Sequence, residues 1–152
     1  MSTAATLSIA VRLALVAALK ADTDFEQSDV SYQFNEVPAP DRDASIWTRS
    51  SRFSQESAGM RAGRHHRDET GRFELVIAAL RVDAIDVTAA AASEVAGNLA
   101  AWISDRKNDE LGVPGLQTLV IDGDGSVLEI KADQGRTLCE ITLPIRFTAR
   151  LT

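Results

Sequence analysis

Residues 139–152 read CEITLPIRFTARLT, and their alternation decides the architecture. Cys139, Ile141, Leu143, Ile145, Phe147, Ala149 and Leu151 occupy every odd position. Glu140, Thr142, Pro144, Arg146, Thr148, Arg150 and Thr152 occupy the even ones. A period of two sustained this long predicts a strand with one buried and one polar face. A slip of one residue would turn the whole apolar set to water, so the register is firmly specified. Pro144 has no N–H to give a ladder, which predicts an edge position or a bulge at that point.

Working outward, Leu116 to Ile121 and Val127 to Lys131 read as two further strands. Between them lies Asp122-Gly123-Asp124-Gly125, whose residues tolerate positive φ and so predict a hairpin turn. Earlier still, Phe73 to Val82 (FELVIAALRV) is apolar at successive positions, the pattern of a central strand covered on both sides. A helix is expected between these regions, because Val87, Ala91, Val95, Leu99, Trp102 and Ile103 fall on one stripe, with Asp86 or Thr88 capping its start. A first helix is expected near the beginning, where Leu7, Val11, Ala14, Leu15, Ala18 and Leu19 recur at helical spacing up to Asp22-Thr23-Asp24. Leu7 to Leu19 invites comparison with a signal peptide. No positive side chain precedes it, however, Arg12 interrupts it, and it is shorter than the ~20 residues a membrane span needs. Val30, Tyr32 and Phe34 alternate with polar residues as in a half-buried strand, which Pro38 and Pro40 end.

The expected fold is therefore α+β: a mixed, mainly antiparallel sheet, with two helices on one face and a long protruding loop or hairpin. At 152 residues the chain suits a single domain, 1–152, with residues 41–71 as the protrusion. Ile46, Trp47 and Phe53 lend that stretch some strand character, whereas Ser57 to Thr70 (SAGMRAGRHHRDET) reads as a mobile loop. Two helices on one face leave the other partly apolar, the mark of a surface meant for a partner.

Composition narrows the function. A net charge of −6 argues against general nucleic-acid binding, which requires a basic footprint. The single Cys139, set in an apolar alternation, reads as a core residue and excludes an internal disulfide. The Asp122 turn resembles the start of a calcium loop, but the twelfth position is Asp133 rather than Glu and the flanks read as strands. His65 and His66 are adjacent, and no Cys or carboxylate stands at a ligand spacing from them; Asp68 and Glu69 are the nearby acids of an alternative metal-site or small-enzyme reading. No nucleophile elbow and no phosphate-cradling glycine pattern is present, so neither catalytic residues nor a cofactor is expected.

Charge is unevenly spread. Between Arg42 and Arg72, seven arginines (Arg42, Arg49, Arg52, Arg61, Arg64, Arg67 and Arg72) face four acids (Asp43, Glu56, Asp68 and Glu69), a local +3 that leaves −9 for the remainder. A basic extension on an acidic body suits an arm that docks on an acidic neighbour, including a second copy of the chain. Trp47, Arg49, Arg52, Phe53, Arg61, Arg64 and Arg67 are the candidate interaction residues, with Trp47 and Phe53 as apolar anchors.

The layout resembles a family. A short amphipathic helix is followed by a strand ending near Pro38-Ala39-Pro40, a basic excursion, the strand FELVIAALRV and an Ala-rich helix closed by Asp109-Glu110-Leu111-Gly112. A hairpin and a last strand ending Phe147-Thr148-Ala149-Arg150-Leu151 complete it. This order and hydrophobic pattern, over nearly the whole chain, is similar to that of the tail terminator proteins of long-tailed bacteriophages; the related head–tail connector proteins share much of it. The resemblance implies a virion protein made in the host cytoplasm and forming a homo-oligomeric ring, usually a hexamer. Such a ring caps the tail tube, meets the head-side connector and lets DNA pass through its lumen without specific binding, with no membrane partner. The family has no catalytic residues to carry over. A binding module for a cellular partner is the other open reading.

Overall fold

A computed structural model describes residues 5–35, 38–61, 64–105, 111–131 and 134–151, with backbone alone for 57–61 and 64–66. The elements run α1 (Ser8–Ala21), a short 3-10 turn (Thr23–Phe25), β1 (Asp29–Ser31), β2 (Ser45–Arg61), β3 (Arg64–Arg81), α2 (Ile85–Asp105), β4 (Leu116–Ile121), β5 (Ser126–Lys131) and β6 (Thr137–Leu151). The strands form one mixed sheet in the order β1-β2-β3-β6, with β4 and β5 both on the outer edge of β6. Among the described residues only the β1–β2 pair is parallel. The fold is α+β, as the patterning predicts. No helix among the described residues is long and apolar enough to cross a membrane.

Both helices pack on one face. Val11, Leu15 and Leu19 of α1 and Val95, Leu99, Trp102 and Ile103 of α2 share one core with Ile46, Phe73, Leu75, Ile77, Ile145 and Phe147. The two helices are tied at their C-terminal ends, where Trp102 Nε1 donates to Asp22 Oδ2 at 2.8 Å and the Trp102 ring meets Phe25 edge-on. Asp22 also accepts from Asp24 N, so a short polar side chain diverts the backbone where α1 stops. At the start of α2, neither Asp86 nor Thr88 caps the helix. Asp83 Oδ1 accepts from Ala84 N, and the buried Thr88 hydroxyl meets that of Thr137.

Two expectations are corrected and one open alternative is resolved. First, the tract read as a loop is strand at its described residues, 57–61 and 64–70: β2 and β3 are 17 and 18 residues long and pair out to Arg61↔Arg64. The tract's outer part, residues 57–61 and 64–66, runs beyond the last β3–β6 pair, Arg67↔Leu151, where a strand needs no apolar face. The inner part buries the polar Glu69 in place of an apolar side chain.

Second, Asp122-Gly123-Asp124-Gly125 is not a hairpin turn. β4 pairs with β6 from Leu116↔Ala149 to Ile121↔Ile145, and β5 continues along the same edge from Ser126↔Thr142 to Lys131↔Thr137. The four residues are a step within one interrupted edge, and the true hairpin is β5–β6. Third, Pro144 lies in a strand paired on both sides, so of the two alternatives it marks an irregularity and not an edge. Its carbonyl accepts from Asp122 N at 3.0 Å, so its nitrogen faces the same side, at the step where no donor is required. Gly123, at φ +118, provides the backbone angle there.

The predicted strand of residues 29–35 is cut to Asp29–Ser31. The regular ladder ends at Ser31↔Trp47, and beyond it the Tyr32 carbonyl accepts from both Thr48 N and the Thr48 hydroxyl. Arg12 packs against this arrangement. The residue is only 7% exposed, its guanidinium donating to Thr48 Oγ1 at 2.8 Å, Ser51 Oγ at 2.7 Å and the Thr48 carbonyl at 3.1 Å, and lying 4.1 Å over the Tyr32 ring. Burial lowers its pKa below the usual arginine value, partly offset by Tyr32.

Two outcomes follow. Arg12→Leu removes the donor to the Thr48 carbonyl and to the Thr48 and Ser51 hydroxyls and lowers stability by about 2–4 kcal/mol; Arg12→Lys recovers little, because an ammonium cannot reproduce the fork. Thermal melts of the three proteins check this. Cys139 is fully buried, and burial, with Glu129 adding to it, raises its thiol pKa. It therefore stays unreactive toward a thiol reagent at pH 8 in the native protein and titrates fully in denaturant.

Candidate interaction surface

The helix-free face is built by register. Ser50, at φ +61, begins a bulge in which one extra residue of β2 is accommodated between Arg49↔Glu74 and Arg52↔Arg72. Because side chains alternate, this extra residue resets the faces. Trp47, Arg49 and Arg52 lie on the helix-free side, whereas Phe53 turns to the helix side opposite Gly71. The ring of Phe147 occupies the space a Gly71 side chain would need, so an aromatic covers the glycine across the strand pair.

Trp47 is not an outward anchor. It is 6% exposed, clustered with Val76 and Ala78, and its ring meets Phe34 at 5.3 Å and 67°. Phe53 is half exposed and is the aromatic available at the base of the arm. An open cleft of about 440 Å³ lies beside Trp47, lined by Phe34, Pro38, Ala78, Leu138, Arg49 and Glu140. The two-sided apolar character of FELVIAALRV thus has a local cause. Val76 and Ala78 lie under Trp47 on one side while Leu75 and Ile77 enter the main core on the other.

This face is thus partly apolar, as expected, with the exposed Leu128 and Ile130 of β5 on the same side, while its middle rows are charged. Arg49 lies between Glu74 (3.6 Å) and Glu140 (3.7 Å). In the next row, Arg52, Arg72 and Arg146 stand side by side across β2, β3 and β6. Asp122 Oδ2 reaches Arg146 at 2.8 Å and Arg72 at 3.3 Å. Further out, Asp68 holds Arg150 at 2.9 Å, and this pairing raises the Arg150 pKa. The alternation of β6 that the sequence displays as polar residues is, in space, one side of these cross-strand ion pairs.

The arm residues divide accordingly. Arg42, beside Asp29 at 3.2 Å, and Arg49 and Arg72 have carboxylate partners on the body. Arg67 donates to Gln55 Oε1 at 3.0 Å, and Gln55 donates to the Ala5 carbonyl at 2.6 Å, so this end of the hairpin is fastened to the start of α1. Arg61 and Arg64 pair through their backbones near the tip, and their side chains lie outside the described residues, as do those of His65 and His66. Asp68 and Glu69, the acids of the alternative metal reading, point to opposite faces of β3. Glu69 is buried on the helix side, where Thr6 Oγ1 and Leu7 N (2.9 Å) donate to its carboxylate. It caps a helix whose own N-cap, Leu7, offers no side-chain bond. Among the described residues, no group of three or more His, Cys, Asp or Glu side chains could hold a metal ion.

Sequence reasoning missed Arg12, Asp122 and Glu69. Arg12 inside an apolar helical face was the one available signal, since a charge there must find buried acceptors. A comparison with protein-family models and with curated proteins finds no match to this chain.

Replacing Asp122 with Asn leaves Arg72 and Arg146 without their shared carboxylate. The expected loss is about 0.5–1 kcal/mol at low ionic strength, shrinking as salt is added. Urea melts at two salt concentrations measure both terms.

Proposed function

We propose that this protein is a structural assembly protein, a tail terminator of a long-tailed bacteriophage, working by binding and without catalysis. It forms a ring that caps the tail tube and joins it to the head-side connector. The observation that carries the reading is the β2–β3 hairpin, which extends past the β3–β6 ladder as an arm. Residues 52–67 hold four arginines against Glu56, on a chain whose net charge is −6. An arm outside the core adds little to its own subunit's stability, and its charge complements an acidic neighbour. The layout resemblance supplies the family. A net acidic body suits a DNA conduit, because a basic lumen would hold the DNA it must pass.

Light scattering on size-exclusion fractions, over a concentration series and with tail tubes added, tests this reading. Concentration-dependent ring formation or capture by the tube end is the expected result; a strict monomer that never joins a tube defeats it. The combined variant Arg61→Ala/Arg64→Ala/Arg67→Ala should weaken assembly, most visibly at low salt where the arginines are least screened, with the fold retained.

A further inference from the structure

We infer that the ring, if the proposed assembly holds, is closed strand to strand: the outer edge of β5 takes up the outer edge of β2, residues 52–57, of a second copy of this chain. Among the described residues β5 pairs with β6 alone, and every one of its six residues is exposed. Val127, Leu128 and Ile130 are 61, 51 and 41% exposed, on a strand with neither a proline nor a bulge to blunt it. An unpaired edge with apolar side chains on both faces is a template for another strand, and proteins that do not use such an edge normally disable it.

The occupant is chosen by a matching surface on the same molecule. β1 covers β2 only at residues 45–47, so among the described residues β2 has no strand partner on its outer side beyond Thr48. This second edge carries the half-exposed Phe53 as its apolar side chain. The two strands are themselves neutral, with Arg52 and Glu56 in residues 52–57 and Glu129 and Lys131 in β5. The segments beside them are complementary in charge: Arg61, Arg64 and Arg67 follow the first, and Asp124 and Asp133 flank the second. The two edges lie on opposite sides of the sheet, separated by β3 and β6. One copy cannot satisfy both, and joining unlike surfaces is the head-to-tail contact from which rings close.

The same separation makes the contact measurable. Three strand spacings put β2 and β5 of one copy about 14 Å apart, beyond the ~7 Å limit between disulfide-linked Cα atoms. In a Cys139→Ala background, each of Phe53→Cys, Ser54→Cys and Gln55→Cys is combined with each of Val127→Cys, Leu128→Cys and Glu129→Cys. Oxidation of the assembled protein should give a ladder of covalent multimers in at least one combination. The separate variant Leu128→Lys/Ile130→Lys should run as a folded monomer with an unchanged far-ultraviolet spectrum. If the parent protein assembles but no combination cross-links, or the lysine variant still assembles, the strand contact is wrong while the ring stands. If the parent protein is monomeric at every concentration and with tubes, the ring itself fails and the contact with it.

Discussion

A single guanidinium holds the first third of the molecule together. Arg12 projects from the buried face of α1 and makes its bonds to hydroxyls and carbonyls of β2 and the chain after β1, with no carboxylate among them. Burying a cation is costly unless its donors are satisfied. Here every partner lies close to a backbone irregularity. Tyr32 is where β1 ends, and Ser51 follows the left-handed Ser50 that opens the bulge. α1, the end of β1 and the bulge therefore depend on one another. Glu69 adds a second tie at the other end of α1, where a strand carboxylate serves as the helix cap.

The bulge has consequences beyond its own geometry. It shifts β2 by one residue against β3, so that odd-numbered residues face away from the helices before it and toward them after it. Arg52 thereby joins Arg72 and Arg146, and Phe53 meets the Gly71–Phe147 pair. Without the extra residue, the arm would present its faces the other way round.

β6 is the spine on the far side. It pairs with β3 along its whole length and with β4 and β5 in turn along its other edge. Pro144 can occupy so central a strand because the edge strand steps away at the point where its missing N–H would be needed. The step places Asp122 between two arginines of the helix-free face. One imide residue thus sets the division of β4 from β5 and part of the surface charge pattern.

The sequence alone determined the elements whose residues alternate against a core: α1, the FELVIAALRV segment of β3, α2 and β6, and with them the α+β class and both helices on one face. Burial imposes periodicity on a sequence, so buried elements are legible in it. The arm was misread as a loop because strands outside the core carry no such period. The step at Asp122 was misread as a hairpin because Asp and Gly permit positive φ in either setting. Of the candidate surface, the excess of arginines was legible, but which were already neutralised was not. Arg49 meets Glu74 and Glu140, and Arg72 meets Asp122, across strands distant in the chain. Register decides such pairs, and a bulge of one residue reverses them. Only the tertiary structure could set the Arg12 clamp, the burial of Trp47 and the exposed edge of β5, because each depends on which segments become neighbours.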